Sequence, residues 1–197
     1  MKDAVKWGEG WCWDDDNPEL TPLLVDRKPF FVESFITELS MLEIVVDSVK
    51  LYEEPAPQDA IPLMTCRHHI DQLLLRMMKD SDNLYAESMF FQIAASMGKR
   101  PATAAHARQL IKKTLGKAGI SDIQYRIADG SGLSLYNYVT PELMTKLLIY
   151  AYRNQRIFMD LYTALPIAGQ DGTLKKRMKE PFVNGKVRAK TGTLSGI

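Results

Sequence analysis

The sequence has few of the residues that mark a metal-binding, disulfide-rich or nucleic-acid-binding protein. Its 197 residues include two cysteines and three histidines, and 25 basic side chains balance 24 acidic ones. Two cysteines do not make a disulfide framework, and no spacing of cysteine and histidine predicts a structural zinc site. The near-neutral charge lacks the basic excess that nucleic-acid binding requires. We therefore expect no metal ion and no nucleic-acid partner.

Long apolar runs and a secretion signal are also missing. The longest apolar stretches are a few residues, far short of the ~20 that a membrane-spanning helix needs. Residues 1–6 are followed by Trp7-Gly8-Glu9-Gly10 and not by an apolar core, so we expect no signal peptide in this chain. The length and the 46% hydrophobic content predict one domain with a core of its own.

Apolar spacing predicts a block of helices between two regions of strand. Residues 7–27 are rich in Trp, Asp, Pro and Gly, and they predict short strands and turns. The later segments predict a helix at 30–42, a strand at 43–52, a helix at 67–79, a helix that starts after the caps Ser81 and Asp82 and contains 85–94, helices at 103–117, 140–154 and 157–165, and strands at 125–128 and 186–193. This order predicts an α+β fold in which a helical block packs on an antiparallel sheet.

The tripeptide Ser81-Asp82-Asn83 stands where one helix is predicted to end and the next to begin. A hydroxyl both donates and accepts, so Ser81 is suited to relay a proton in a cleft. Asn83 offers an amide to a substrate backbone, and Asp82 is expected to point away and tie the loop down. Alternatively, the tripeptide is only a helix cap, because Ser and Asp are strongly preferred there.

The second tripeptide, Lys190-Thr191-Gly192, lies in the last predicted strand. Lys190 supplies positive potential and Thr191 a hydrogen bond for a carboxylate, each worth about 1.5–3 kcal/mol to a charged acceptor. Gly192 has no side chain, so that a peptide could lie along the strand edge, and the backbone N–H of Thr193 could donate to an oxyanion. Alternatively, the tripeptide is an exposed strand that runs into a turn.

Together and in this order, the two tripeptides resemble two of the three signature motifs of the penicillin-binding protein and serine β-lactamase superfamily. Both are expected by chance in only roughly one chain in a thousand of this length. The third motif, Ser-x-x-Lys with the nucleophile, does not occur ahead of Ser81. Ser96-Met97-Gly98-Lys99 fits the pattern formally, but it follows Ser81 and ends a predicted helix. We therefore do not expect Ser96 to be the nucleophile.

Further segments resemble the D-alanyl-D-alanine carboxypeptidase/endopeptidase family of class C low-molecular-mass penicillin-binding proteins. The resemblance covers nearly the whole chain, and its segments are 10–15, 81–87, 129–134, 165–174 and 187–196. It implies a β-lactamase/transpeptidase-like fold, with catalytic roles for Ser81, Asn83 and Lys190 and substrate contacts from Thr191, Gly192 and Thr193. Because the mechanism needs the two tripeptides on opposite walls of one cleft, the side chains of Ser81 and Lys190 are expected to lie about 3–6 Å apart. Asp82, Asp129 and Ser131 are expected to be structural residues near the site.

The resemblance also implies what the site acts on. Family members are secreted serine peptidases that cut peptidoglycan stem peptides through an acyl-enzyme, bind β-lactams at the same serine and need no metal or organic cofactor. An extracytoplasmic location follows for the intact parent. Residues 1–197 are expected to form the C-terminal part of one transpeptidase-like domain, truncated at both ends and inactive alone because the nucleophile is missing.

Two other functions fit part of this pattern. A non-catalytic penicillin-binding-like module would hold a peptidoglycan peptide without cutting it, and it would need no nucleophile. A β-lactamase would share both tripeptides, but the segment with the deacylating glutamate of the class A enzymes is not recognisable, and the segments at 129–134 and 165–174 resemble the carboxypeptidases.

Overall fold

The computed structural model describes residues 27–50, 57–61, 64–65, 67–98, 102–121 and 125–193. Over these residues the chain is mainly helical, with one small antiparallel sheet. The elements are α1 (Arg27–Met41), α2 (Ile70–Lys79), α3 (Asn83–Ala95), α4 (Ala104–Lys117), β1 (Tyr125–Arg126), β2 (Tyr138–Val139), α5 (Pro141–Arg153), α6 (Gln155–Ala164) and a 3₁₀ turn (Gly172–Leu174).

Local capping chemistry explains where three of the helices begin. The side chains of Asp82, Thr103 and Thr140 accept the backbone N–H three residues ahead, at the starts of α3, α4 and α5. Such a bond satisfies one of the N–H groups that a helix start leaves unpaired. Pro141 follows Thr140 in the first turn, where its missing N–H costs nothing. The helices predicted over 67–79, 103–117, 140–154 and 157–165, and the helix expected after Ser81 and Asp82, are thus confirmed within a few residues.

The core lies between α3, α4 and the start of α5. Phe90, Ala94 and Ala107 form one buried cluster across α3 and α4. Leu115, Ile120 and Leu143 form a second, and the half-buried Ile111 and Ile127 pack against both. Helix α2 packs against α3, α6 and the 3₁₀ turn, which places the C-terminal end of α2 beside residues far along the chain.

The sheet is smaller than predicted. β1 and β2 pair antiparallel through Tyr125–Val139 and Arg126–Tyr138, so the predicted strand at 125–128 is confirmed for two residues only. The predicted strand over 43–52 is wrong for residues 43–50, which form a turn and irregular backbone; 51 and 52 lie outside the described residues. A β-branched run becomes a strand only where a partner strand satisfies its backbone groups, and these described residues have none.

The prediction of a strand over 186–193 is also wrong. In place of a ladder there is a single antiparallel bridge between Ile167 and Arg188. The flanking backbone bonds join Ala168 N–H to Val187 O at 2.9 Å and Ala189 N–H to Pro166 O at 3.1 Å. Pairing stops there because 3₁₀ and turn conformations follow residue 168.

The strands and turns predicted for residues 7–27, and both cysteines, lie outside the described residues, apart from Arg27, which begins α1. Within the described ranges, no helix has both the length and the apolar character needed to cross a membrane.

Candidate active site

Ser81 lies in the short connection between α2 and α3, in a conformation that is unusual for its residue type. Its φ is 59°, in the left-handed region. That region costs a residue with a side chain about 1–2 kcal/mol, and such strain is concentrated at functional sites. The two flanking helices hold Ser81 in this conformation.

Asp82 fixes the connection between α2 and α3. Its Oδ1 accepts the Tyr85 N–H at 3.3 Å, and its Oδ2 accepts Arg76 Nε at 3.1 Å. Asp82 is buried, with 7% of its surface exposed. The Asp82 carboxylate therefore connects the start of α3 to the last turns of α2, and this connection fixes the position of Ser81 between the two helices.

Lys190 reaches Ser81 across 109 residues of sequence. Its Nζ donates to Ser81 Oγ at 2.6 Å and to the carbonyl oxygen of Thr191 at 2.6 Å. The predicted meeting of the two tripeptides is confirmed by this contact. Lys190 is exposed, so its ammonium and the serine hydroxyl form a charged, open end of the site.

Thr191 follows Lys190 in the chain, and together with Gly192 these residues form one wall of the site. The Thr191 hydroxyl lies 2.9 Å from the hydroxyl of Thr173, in the 3₁₀ turn. Gly192 and Thr193 are exposed, and among the described residues no atom lies within 4 Å of a Cβ built on Gly192. That a ligand backbone lies along Gly192 stays a prediction.

A second network fixes the loop from Asp129 to Asn137. Asp129 accepts the N–H groups of Gly132 at 2.8 Å and Ser134 at 2.7 Å, and its Oδ1 also accepts the Asn137 side-chain amide at 2.8 Å. The carboxylate therefore holds the loop closed upon itself.

Glu87 of α3 attaches this loop to the helix that begins beside Ser81. Its Oε1 accepts the N–H groups of Gly130 at 3.0 Å and Ser131 at 2.8 Å. Burial raises the pKa of Glu87, while the bonds from Ser131 and Gly130 oppose that shift and the charge of Asp129 adds to it. A Cβ on Gly130 would lie 2.6 Å from Phe90 Cβ, so the loop is in close contact with α3.

The family assignment follows from comparison with known proteins. The D-Ala-D-Ala carboxypeptidase 3 (S13) family matches residues 25–197 of the sequence. The chain belongs to this family.

Individual members of the S13 family show the same relationship. D-alanyl-D-alanine carboxypeptidase DacB of Haemophilus influenzae is 40% identical over 131 residues, which are 65% of this chain and 27% of that protein. Carboxypeptidase DacB of Mycolicibacterium smegmatis is 34% identical over 128 residues, covering 62% of this chain and 28% of that protein. The chain thus spans somewhat more than a quarter of the length of these relatives.

The fold comparison agrees. Penicillin binding protein 4 (dacB) from H. influenzae, solved as a complex with a β-lactam, matches with a TM-score of 0.69 and 32% identity over 87% of this chain and 40% of that chain. The predicted α+β fold of the transpeptidase type is confirmed, as part of a domain.

Asn83 and Ser96 of this S13 chain lie at opposite ends of α3 and differ in their distance from Ser81. Asn83 is the first residue of α3, directly after the cap, and its role stays a prediction, as does that of Thr193. Ser96 caps the other end of α3 and donates to Ile93 O at 2.7 Å. The 13-residue helix separates Ser96 from Ser81 by about 20 Å, so the structure does not bring Ser96 to the site.

Lys79, Asp171 and Thr173 support the site, and no role was assigned to any of them from the sequence. Lys79, at the end of α2, donates to Asp171 Oδ2 and to Leu165 O, both at 2.7 Å. Thr173 contacts Thr191 as described. The signals in the sequence were the Asp171-Gly172 pair, which is typical of a turn, and the resemblance of segment 165–174 to the family. Among the described residues, no group of three or more His, Cys, Asp or Glu side chains is arranged to hold a metal ion.

Proposed function

We propose that this chain forms the substrate-binding part of a serine-type D-Ala-D-Ala carboxypeptidase that acts on peptidoglycan stem peptides outside the cytoplasm. The contact between Lys190 and Ser81, 2.6 Å apart in space and 109 residues apart in sequence, carries the proposal. It places a cation, two hydroxyls and an open glycine along one wall. That set suits a peptide ending in a free carboxylate.

Each group has a separate part in the proposed reaction. The Lys190 ammonium and the Thr191 hydroxyl bind the terminal carboxylate of the substrate. Ser81 accepts a hydrogen bond from Lys190 and relays a proton. It gives its proton to the leaving nitrogen as the peptide C–N bond breaks, and it takes up the proton that the attacking serine of the Ser-x-x-Lys element loses on forming the ester bond. D-Alanine departs, and water then hydrolyses the acyl-enzyme.

The acyl group in this scheme is carried by a serine of a Ser-x-x-Lys element, which this sequence does not contain ahead of Ser81. We therefore expect no penicilloyl adduct on this chain when it is incubated with penicillin and measured by intact mass. The relatives named above are carboxypeptidases, which favours catalysis over the alternative of a binding module that holds the peptide without cutting it.

Binding tests the carboxylate site without requiring turnover. The chain is titrated with an N-acylated peptide ending in D-Ala-D-Ala and, separately, with its C-terminal amide, and Kd is taken from backbone amide NMR shifts. We expect the acid to bind more tightly than the amide, with shifts at Ser81, Lys190 and Thr191. Lys190→Ala should weaken binding of the acid by about 10-fold or more, because it removes a charge-assisted hydrogen bond.

Lys186→Ala is the matched control, since Lys186 is an exposed lysine on the same segment. It should leave Kd unchanged and thereby separate a local contact from a general effect of charge. Equal Kd values for acid and amide, or equal losses in both lysine variants, would count against the assigned carboxylate site.

A further inference from the structure

Thr173 lies beside the proposed carboxylate site, although neither tripeptide contains it. It is the middle residue of the 3₁₀ turn Gly172–Leu174. Its hydroxyl is 2.9 Å from the hydroxyl of Thr191, so the two side chains form one hydrogen-bonded pair. The two residues are 18 positions apart in sequence, and the bridge between Ile167 and Arg188 joins the chain ahead of each.

The turn that carries Thr173 is fixed on both sides. On one side, Asp171 accepts Lys79 Nζ and the Ile167 N–H, each at 2.7 Å. On the other, the Leu174 side chain is buried, with 2% of its surface exposed. Thr173 therefore has little freedom to move relative to the end of α2.

Gly172 adds close contact to this attachment. Its φ is 52°, and a Cβ at this position would lie 2.6 Å from the carbonyl oxygen of Lys79. A residue with a side chain would push the turn away from α2 and carry Thr173 with it. The backbone thus holds Thr173 against the same helix end that leads into Ser81.

Two bonded hydroxyls share protons in a defined way. Each hydroxyl has one proton and can rotate. One of the two protons lies in the hydrogen bond between the oxygens, and the other can be donated to another acceptor. In this structure the Thr191 hydroxyl donates to the Thr173 hydroxyl. When a carboxylate is bound, rotation of both hydroxyls lets Thr173 donate to Thr191, and the Thr191 proton is then directed to the carboxylate. A hydroxyl that accepts a bond also becomes a stronger donor.

We propose that Thr173 is a positioning residue, which orients the Thr191 hydroxyl so that it donates to the terminal carboxylate of the substrate. This inference rests on the proposed function of the Lys190–Thr191 wall. It adds a residue that acts through Thr191 and without touching the substrate.

The test compares Thr173→Ala, which removes the hydroxyl without adding bulk, with Thr173→Ser, which keeps it. Each variant of the full chain is titrated with the D-Ala-D-Ala acid and with its C-terminal amide. Thr173→Ala should reduce the preference for the acid over the amide by about 3–10-fold, the range expected for one hydrogen bond, and Thr173→Ser should restore it. Helix content by circular dichroism is measured for each variant.

A double-mutant cycle separates positioning from packing. If Thr173 acts through Thr191, adding Thr173→Ala to Thr191→Val should cause no further loss of acid preference. An unchanged acid preference in Thr173→Ala, failure of Thr173→Ser to restore it, or additive losses in the double variant would each overturn the inference while leaving the proposed function intact. Absence of any acid preference in the unmodified chain would overturn both.

Discussion

Gly130 and Gly116 allow the same one-carbon substitution to be made at two backbone positions with opposite expected effects. Gly130 lies in the loop that Glu87 binds, and a Cβ there would be 2.6 Å from Phe90 Cβ and 2.7 Å from Ala86 O. Carbon atoms in good contact are about 3.5–4.0 Å apart, so the loop would have to move roughly 1 Å away from α3. The neighbouring atoms are backbone and a Cβ, which cannot rotate aside.

The movement has two costs that the structure allows us to estimate. Overpacking at a close contact costs about 1–3 kcal/mol. The same displacement lengthens the bonds from the Gly130 and Ser131 N–H groups to Glu87, at 3.0 and 2.8 Å, and bonds to a charged acceptor contribute about 1.5–3 kcal/mol each. With these bonds partly retained, Gly130→Ala should lower the free energy of unfolding by about 2–4 kcal/mol.

Gly116 is the matched control. It is exposed in α4, and a Cβ at this position would meet nothing within 4 Å. Gly116→Ala should raise stability by about 0.5 kcal/mol, because alanine has the higher helix propensity and loses less backbone entropy on folding.

Urea unfolding followed by far-UV circular dichroism measures both changes, and thermal unfolding provides a second readout. In a chain of this size, Gly130→Ala should lower Tm by roughly 5–15 °C. If Gly130→Ala is as stable as the unmodified chain, or if both variants change in the same direction, the contact between the loop and α3 is wrong.

Two further predictions concern pH and backbone strain. Burial raises the pKa of Glu87 from its ordinary value of 4.5, so ionising it costs stability, and the stability of Glu87→Gln relative to the unmodified chain should increase as pH rises through that folded pKa. Burial opposes ionisation of Asp171, but the hydrogen bonds from Lys79 and Ile167 and the nearby positive charges outweigh it and lower its pKa from 3.8. The loss of stability in Asp171→Asn should therefore be largest above pH 4 and shrink as pH falls through the folded pKa. Urea unfolding from pH 3 to 7 gives the stability of each variant relative to the unmodified chain, and slopes of the same sign against pH for the two variants would contradict the assignments. Ser81→Gly should be more stable than Ser81→Ala by about 1 kcal/mol, because both lose the hydroxyl but only alanine keeps the left-handed strain. Equal stability of these two variants in urea unfolding would be inconsistent with the positive φ of Ser81.

The helix starts were predictable because their chemistry is local. Asp82 and Thr140 each cap a helix through an N–H three residues ahead, so the signal and its partner lie in the same short segment. The structural role of Asp82 followed from the same rule. The strands were not predictable in this way, because a strand is stable only with a partner, and residues 186–193 have one short bridge to Ile167 and its neighbours.

The pairing of Ser81 with Lys190 was predicted from the chemistry that the two tripeptides suggest, and the structure confirms the contact. By contrast, no motif singled out Lys79, and the resemblance of segment 165–174 to the family assigned no role to Thr173.

The sequence alone thus determined the kind of chemistry and the helices that frame it, because motif residues and capping bonds are read over a few positions. Only the tertiary structure decided which distant groups support them. The contact from Lys79 to Asp171 spans 92 residues and that from Glu87 to Ser131 spans 44. Such contacts depend on how α2, α3 and the loops pack together, and packing is a property of the whole chain that no short segment contains.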